Sequence, residues 1–327
     1  MKTSRIRRAA LAIAMGALLA PAGAVWAQAA PYPSQTIKFI VPYPAGGATD
    51  TLARTVAQKL GEAWGQPVVV ENKVGASGTI GNNIVAKANP DGYTVLVAIT
   101  ALIQQQSLMD KLPYDPLKDF APVTLIARSP SMFAVPLDSP AKSLKEFIAM
   151  AKANPGKLSY GTYGAGTSSH IQGSLLNMQA GLDLTHVPFN GAAPLVTNLV
   201  GGQLPSAFID SASARPHLKS IRPLAVTGTQ RIPGMPDVPT FVELGYHSFD
   251  PYGWFGLFLP ANTPAPIAMK MSDEVNRILH LPDVTARIEG LGLQVGGGKP
   301  DELRKTMNGD AAIYAKIIKD ANIRLNQ

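Results

Sequence analysis

Residues 41–55 read VPYPAGGATDTLART. The apolar run TIKFIV at 36–41 leads into them. TDTLARTVAQKLGEAWG at 49–65 continues them, with Leu52, Val56, Leu60 and Ala63 at helical spacing. A strand, a turn of small residues and a helix start are expected in succession. At such a junction the first-turn N–H groups have no intrahelical acceptor, and the helix dipole is positive. Glycine lets an anion approach the backbone, so the Gly46-Gly47 turn reads as a cradle for an oxyanion, most simply a carboxylate.

The unit recurs. LSYGTYGAGTSSH at 158–170 and VPFNGAAP at 187–194 again place glycines between a strand and a helix start. One such turn is also what an ordinary α/β connection uses; three carry more weight. Between them run further strand-like segments (PVVVEN, YTVLVAIT, LPSAFID, IRPLAVTG, YGWFGLFLP) and helix-like ones. Ser143 and Glu146 have capping-box spacing before a helix that stops at Asn154-Pro155-Gly156. A closing helix is expected from about Asp301 to Ile318, with Leu303, Met307, Ala311 and Tyr314 on one face. Alternating strands and helices predict α/β layers. Chain crossings near 128–131 and 229–240 divide them into two lobes. Residues 28–128 with 232–327 are expected to form the first, discontinuous lobe, and 129–231 the second.

The first 27 residues read differently. Lys2, Arg5, Arg7 and Arg8 precede the apolar stretch LAIAMGALLA, and small residues follow up to Ala27 and Ala29. This is the order of a secretory signal peptide, and the apolar stretch is too short for a spanning helix of roughly 20 residues. Four of the seven net positive charges lie in that leader. The charge that remains, with no basic cluster, argues against a nucleic-acid partner. Cysteine is absent, which excludes a disulfide framework, thiol chemistry and lipidation of an N-terminal cysteine. A soluble periplasmic protein without a cofactor, acting as a monomer, is the expectation.

Other chemistries fit poorly. No lysine follows the glycine loops as a phosphate-binding P-loop needs, and GAGTSS lacks the last glycine of a dinucleotide fingerprint. Ser168, Ser169 and His170 are adjacent, which leaves an exported ester or amide hydrolase as an alternative, but no G-x-S-x-G surrounds them. The histidines show no zinc-ligand spacing. Asp50 and Asp210 each read either as ligand contacts or as residues that fix their loops. Tyr43, Tyr163 and Phe189 are candidate cleft walls or simple packing. Arg128 and Arg215 are candidate carboxylate clamps or exposed surface arginines, and Gln104-Gln105-Gln106 reads as a solvated face.

Taken in order, YPSQTIKFIVPYPAGGATDTLART, VVVENKVGASGTIGNNIVAKANPDGYTVL, YGTYGAGTSSHIQGSLL, THVPFNGAAP, GGQLPSAFID and MPDVPTFVELGY resemble the Bug-type periplasmic solute receptors of tripartite tricarboxylate transporters. The resemblance covers the chain from about Pro31 onward. It implies a two-lobed Venus-flytrap α/β protein that holds a carboxylate between its lobes and delivers it to membrane permease subunits. A sensing receptor for a membrane partner shares the same fold and ligand. The family's first loop matches at Tyr43, Pro44, Gly46, Gly47, Ala48 and Asp50, and its second at Gly164, Gly166, Thr167, Ser168 and His170. The PFNG turn matches at Asn190 and Gly191, and Asp210 stands where the family commonly has an acid. Thr100 is retained, but AITALIQQQSLM at 98–109 is larger and less polar than the family's usual Ser/Thr-rich stretch. The resemblance therefore leaves open which acid is bound, a bulkier or aromatic one included.

Overall fold

A computed structural model describes residues 32–323 apart from Asp110, Asn190, Pro233 and Asp250; its compact body begins at Gln35. The expected leader, residues 1–27, lies outside the described residues. Strands β1 (Ile37–Val41), β2 (Val68–Asn72), β3 (Thr94–Ile99) and β4 (Phe120–Ser129) come first. Then follow β5 (Ser131–Pro136), β6 (Ser159–Thr162), β7 (Thr185–Pro188), β8 (Ala207–Asp210) and β9 (Ile221–Val226). The last two are β10 (Gly253–Pro260) and β11 (Gln294–Gly297). Helices between them are α1 (Ala48–Trp64), α2 (Thr79–Ala86), α3 (Ala101–Leu108), α4 (Leu144–Ala153) and α5 (Ser168–Ala180). They continue as α6 (Ala192–Val200), α7 (Ser211–Ala214), α8 (Ala265–Leu279), α9 (Pro282–Gly290) and α10 (Pro300–Asp320).

The strands form two mixed sheets, ordered β11-β4-β10-β3-β1-β2 and β7-β6-β8-β5-β9. Each is built to one scheme. A central strand, β1 or β6, has a parallel neighbour on either side. Next in line comes an antiparallel strand, β10 or β5, that was made elsewhere in the chain. Parallel neighbours require crossover helices, so the chain leaves β1 and β6 at their carboxyl ends and enters α1 and α5 there. β1 is apolar at every position but Lys38 and buried at every position but that one, as a strand covered on both faces requires.

The chain passes from the first sheet to the second within one residue, Pro130, between β4 and β5. The return comes later than the sequence spacing suggests. Ile232, Met235 and Val238 lie against the core of the second sheet, Thr240 bridges Val226, and Phe241 and Phe249 stack on each other and on Phe208. The chain rejoins the first sheet only at β10. The closing helix α10 buries Leu303, Met307, Ala311 and Tyr314 as its spacing predicts. It packs on β4 and α3 and also meets α5, tying both halves into one apolar core. Ser143 caps α4 through the Glu146 N–H, while the Glu146 carboxylate takes the N–H of Lys142.

One glycine sets where α5 sits. A Cβ built on Gly173 would lie 1.9 Å from the ring of Tyr160, which is itself buried on β6. Alanine gains about 1 kcal/mol over glycine in helix propensity, but forcing a methyl into a filled core costs typically about 1–3 kcal/mol. With contact this short the clash wins. Gly173→Ala is expected to lower stability by about 1–2 kcal/mol, measured as a shift of the urea midpoint at unchanged slope.

Candidate functional site

Two helix N-termini, those of α1 and α5, carry the candidate site residues. Tyr43-Pro44-Ala45-Gly46 precedes α1 and Tyr163-Gly164-Ala165-Gly166 precedes α5 at the same offset. In each loop the last glycine has positive φ, +83° at Gly46 and +73° at Gly166. Each donates its N–H to the side chain four residues on: Gly46 to Asp50 Oδ2 at 2.9 Å, Gly166 to His170 Nδ1 at 3.0 Å. The following residues, Gly47 and Thr167, are the N-caps, and neither helix start receives a side-chain cap bond. The N–H groups after them, at Ala48 and Thr49 and at Ser168 and Ser169, thus point out of the helices without an intrahelical acceptor.

The first loop is held by a small charged network. The Asp50 carboxylate, buried in the first turn, also accepts from Arg54 Nε at 3.0 Å and from Asn72 Nδ2 at 2.9 Å. Asn72 Nδ2 lies 3.0 Å from the carbonyl of Tyr43 as well. Burial alone raises the carboxyl's pKa, but bonds from Arg54, Gly46 and Asn72 outweigh it and hold it below the usual range. Asp50 therefore shapes the loop from within. The Tyr43 hydroxyl is buried beside Gly78, and burial pushes its ionisation far up.

The second loop is held by hydroxyl and imidazole groups, with one carboxylate, Asp210, at its first residue. Thr167 Oγ1 donates to the carbonyl of Gly164 at 2.7 Å, and Ser169 Oγ accepts from the N–H of Tyr163 at 3.1 Å. His170 stacks on His186 with centroids 3.9 Å apart and planes 8° apart. His186 Nε2 is 2.6 Å from Thr162 Oγ1. The Tyr163 hydroxyl donates to Asp210 Oδ2 and accepts from the Asp210 N–H. Asp210 also caps α7 through Ser213. The third loop lies alongside: Phe189 donates its N–H to the carbonyl of Thr162 at 3.0 Å, and Gly191, φ +98°, is the N-cap of α6. Asn190 lies outside the described residues.

Thr100, at the end of β3, is buried and takes the N–H of Trp254 on Oγ1 at 2.8 Å. It opens α3, where the structure departs from the sequence reading. Gln104 and Gln105 are buried and only Gln106 is exposed, because α3 is covered on its Leu102, Ile103 and Leu108 side and bonds through Gln105 to Ser77 and Tyr114 and through Gln104 to Ser168. Gln104 Nε2 donates to Ser168 Oγ at 2.9 Å, a bond from the first half of the molecule to the start of α5. Polarity hid this residue; its place one turn after a strand end was the available signal. Of the arginines, Arg215 donates to the carbonyl of Glu289. Arg128 is exposed and lines a groove of about 350 Å³ with Tyr252, Trp254 and Asp310. Neither is bonded to the glycine loops. Ser168 and Ser169 are bonded to Gln104 and to Thr167 and Tyr163 rather than to a histidine.

Burial, with His170 alongside, pushes the His186 imidazole down to about 4 from its ordinary 6.5; burial lowers His170 too. Below 6.5 the unfolded chain binds more protons than the folded one, so stability falls as pH drops from 6.5 toward 4 and is fully present above 6.5. Histidine Cε1–H NMR titration is expected to show one imidazole with a midpoint near 4. His186→Gln is expected to flatten the acid loss of melting temperature over that range. An ordinary midpoint near 6.5 for all five histidines contradicts this.

The model of the tripartite tricarboxylate transporter family receptor matches residues 52–323. A UPF0065 protein of Pseudomonas sp. strain P51 is 37% identical over 90% of this chain and 89% of its own. Protein BugT of Bordetella pertussis is 31% identical over 95% and 97%. Among solved structures, an R. palustris protein with adipate superposes with a TM-score of 0.81 at 32% identity, over 90% of this chain and all of that one. MatC of Rhodopseudomonas palustris with bound malate gives 0.77 at 33%, over 88% and all of that chain. With its two α/β lobes and paired glycine loops, this chain belongs to the tripartite tricarboxylate transporter receptor family, among the Bug-type solute-binding proteins.

Proposed function

We propose that the protein is a periplasmic receptor that captures a small organic carboxylate between its lobes and hands it to the permease subunits of a tripartite tricarboxylate transporter, without a catalytic cycle. The observation that carries this reading is the matched pair of uncapped helix N-termini, α1 after Gly47 and α5 after Thr167, linked across the molecule by Gln104 and Ser168. Two such sets of N–H donors suit an anion with oxygens at both ends, and need no formal positive charge. The adipate and malate bound by two family structures are dicarboxylates of this kind.

In this reading the N–H groups of Gly47 and Ala48 and those after Thr167, with the Ser168 hydroxyl, contact the ligand. Tyr43, Pro44, Gly164, Asn190 and Gly191 border it. Asp50, Gly46, Gly166, Thr100 and Asp210 hold the walls in shape. A hinge lies at Ser129–Ser131 and where the chain re-enters the first sheet before β10, and the leader at 1–27 directs export. A ligand shifts the open–closed balance only by binding the closed form better, and contact with both lobes supplies that difference.

Gly47 provides the sharpest test. Its φ of −76° suits any residue, and an added Cβ would meet only the Pro44 carbonyl, at 3.5 Å. Gly47→Val is expected to lower the melting temperature by only about 2–4 °C, as a worse N-cap costs about 1 kcal/mol. Its branched methyls crowd the anion, so the dissociation constant is expected to rise at least about tenfold, a loss of roughly 1.4 kcal/mol. Calorimetry with an acid found by thermal shift over C4–C6 dicarboxylates, citrate and benzene carboxylates measures this. Unchanged affinity removes the cradle from the account, and stabilisation by an ester with turnover favours the hydrolase.

A further inference from the structure

We infer that Gln104 reads a second group on the ligand, so that the cleft prefers a carboxylate carrying a hydrogen-bond donor, such as a hydroxyl, to the same acid without one. This deepens the receptor reading above and rests on it. Gln104 is fully buried. Its Nε2 is engaged by Ser168 Oγ at 2.9 Å, whereas its Oε1 is buried with no hydrogen-bond partner. Ser168 is the first residue of α5, so the unmatched oxygen, on the same planar amide, lies beside the second cradle. Buried polar atoms are almost always paired, and one that the protein leaves unpaired beside a binding loop points to a partner from outside.

Neighbouring bonds hold α3 and the Gln104 amide in place. Gln105 accepts from the Tyr114 hydroxyl at 2.6 Å and from Thr79 Oγ1 at 3.3 Å, and donates to the carbonyl of Ser77 at 2.7 Å. Those bonds fix α3 against the loop at 76–79, and Ser168 fixes the other end of the Gln104 amide. The helix N-termini offer only donors, which suits a carboxylate. Gln104 Oε1 offers only an acceptor. An ionised dicarboxylate without further groups has acceptors alone and leaves Oε1 unpaired. A hydroxy acid satisfies both. One family structure holds adipate, which has no hydroxyl, and another holds malate, which has one; the fold admits both, and Gln104 supplies the choice here.

Sites that bond a ligand hydroxyl reject analogues that lack it, because the buried partner is then left unpaired. Calorimetric titration of the wild-type protein and Gln104→Leu with two matched pairs, malate against succinate and 2-hydroxyadipate against adipate, tests this. The wild type is expected to bind the hydroxylated member of at least one pair at least about tenfold more tightly, and Gln104→Leu to reduce that ratio to within about threefold. The unhydroxylated acid is expected to lose less affinity in the variant than its hydroxylated partner loses. Equal affinity for both members in the wild type overturns the inference while leaving the receptor reading intact. So does a Gln104→Leu variant that weakens both members alike, since that marks the amide as a donor to carboxylate. If no carboxylate binds the wild type at all, the receptor reading fails and this inference with it.

Discussion

The first turn of an α-helix carries backbone N–H groups that the helix itself cannot satisfy. In this molecule the glycine loops before α1 and α5 present such groups in one shared geometry, each with a positive-φ glycine whose N–H is taken by the side chain four residues on. Parallel pairing of β1 and β6 on both sides forces the chain out at their carboxyl ends and straight into those helices. Uncapped starts at Gly47 and Thr167 then leave the donors directed outward. The alternative, a serine or aspartate cap of the kind that closes α4 and α7, is used elsewhere in the same chain. Other helices of the chain also start without such a cap; what α1 and α5 share is the glycine loop ahead of the cap, pinned through Gly46 and Gly166.

Holding a glycine loop open at the end of a strand requires a second set of interactions, and the two halves solve this with different chemistry in the same geometry. Gly46 leans on a carboxylate, Gly166 on an imidazole, each four residues into the helix. Asp50 keeps its charge through Arg54 and Asn72. His170 accepts on Nδ1 only while that nitrogen is unprotonated, and its stacking on His186 in a buried position favours the neutral form of both. The glycine of the first loop is therefore held by a charged group and that of the second by a neutral one. Acid thus loosens the second loop by protonating its imidazoles, and the first by protonating Asp50, whose carboxyl is held below its usual range.

Much of this was legible in the sequence. Glycine punctuation marked β1 to α1 and β6 to α5, and the apolar face of α10 was plain from Leu303, Met307, Ala311 and Tyr314. The strands β4 and β5 were not legible, because Pro122, Pro130 and Pro136 interrupt the apolar run that forms them. The fold absorbs Pro122 beside a register shift in the pairing of β4 with β10. Nor was α3, whose buried face includes Gln104 and Gln105: burial against a partner half of the chain overrides the polarity that marks a solvated helix. The late return to the first sheet was hidden for a related reason, since Phe241 and Phe249 find their partner, Phe208, only in three dimensions.

The central claim is that backbone N–H groups of two helix starts hold the ligand's carboxylate. Amide NMR on deuterated protein tests it most directly, following each N–H as a stabilising dicarboxylate is added. The account predicts that the largest downfield proton shifts fall on Gly47, Ala48 and Thr49 and on Ser168 and Ser169. Shifts confined to other surfaces, such as the groove of Arg128 and Trp254, with these amides unmoved, contradict it.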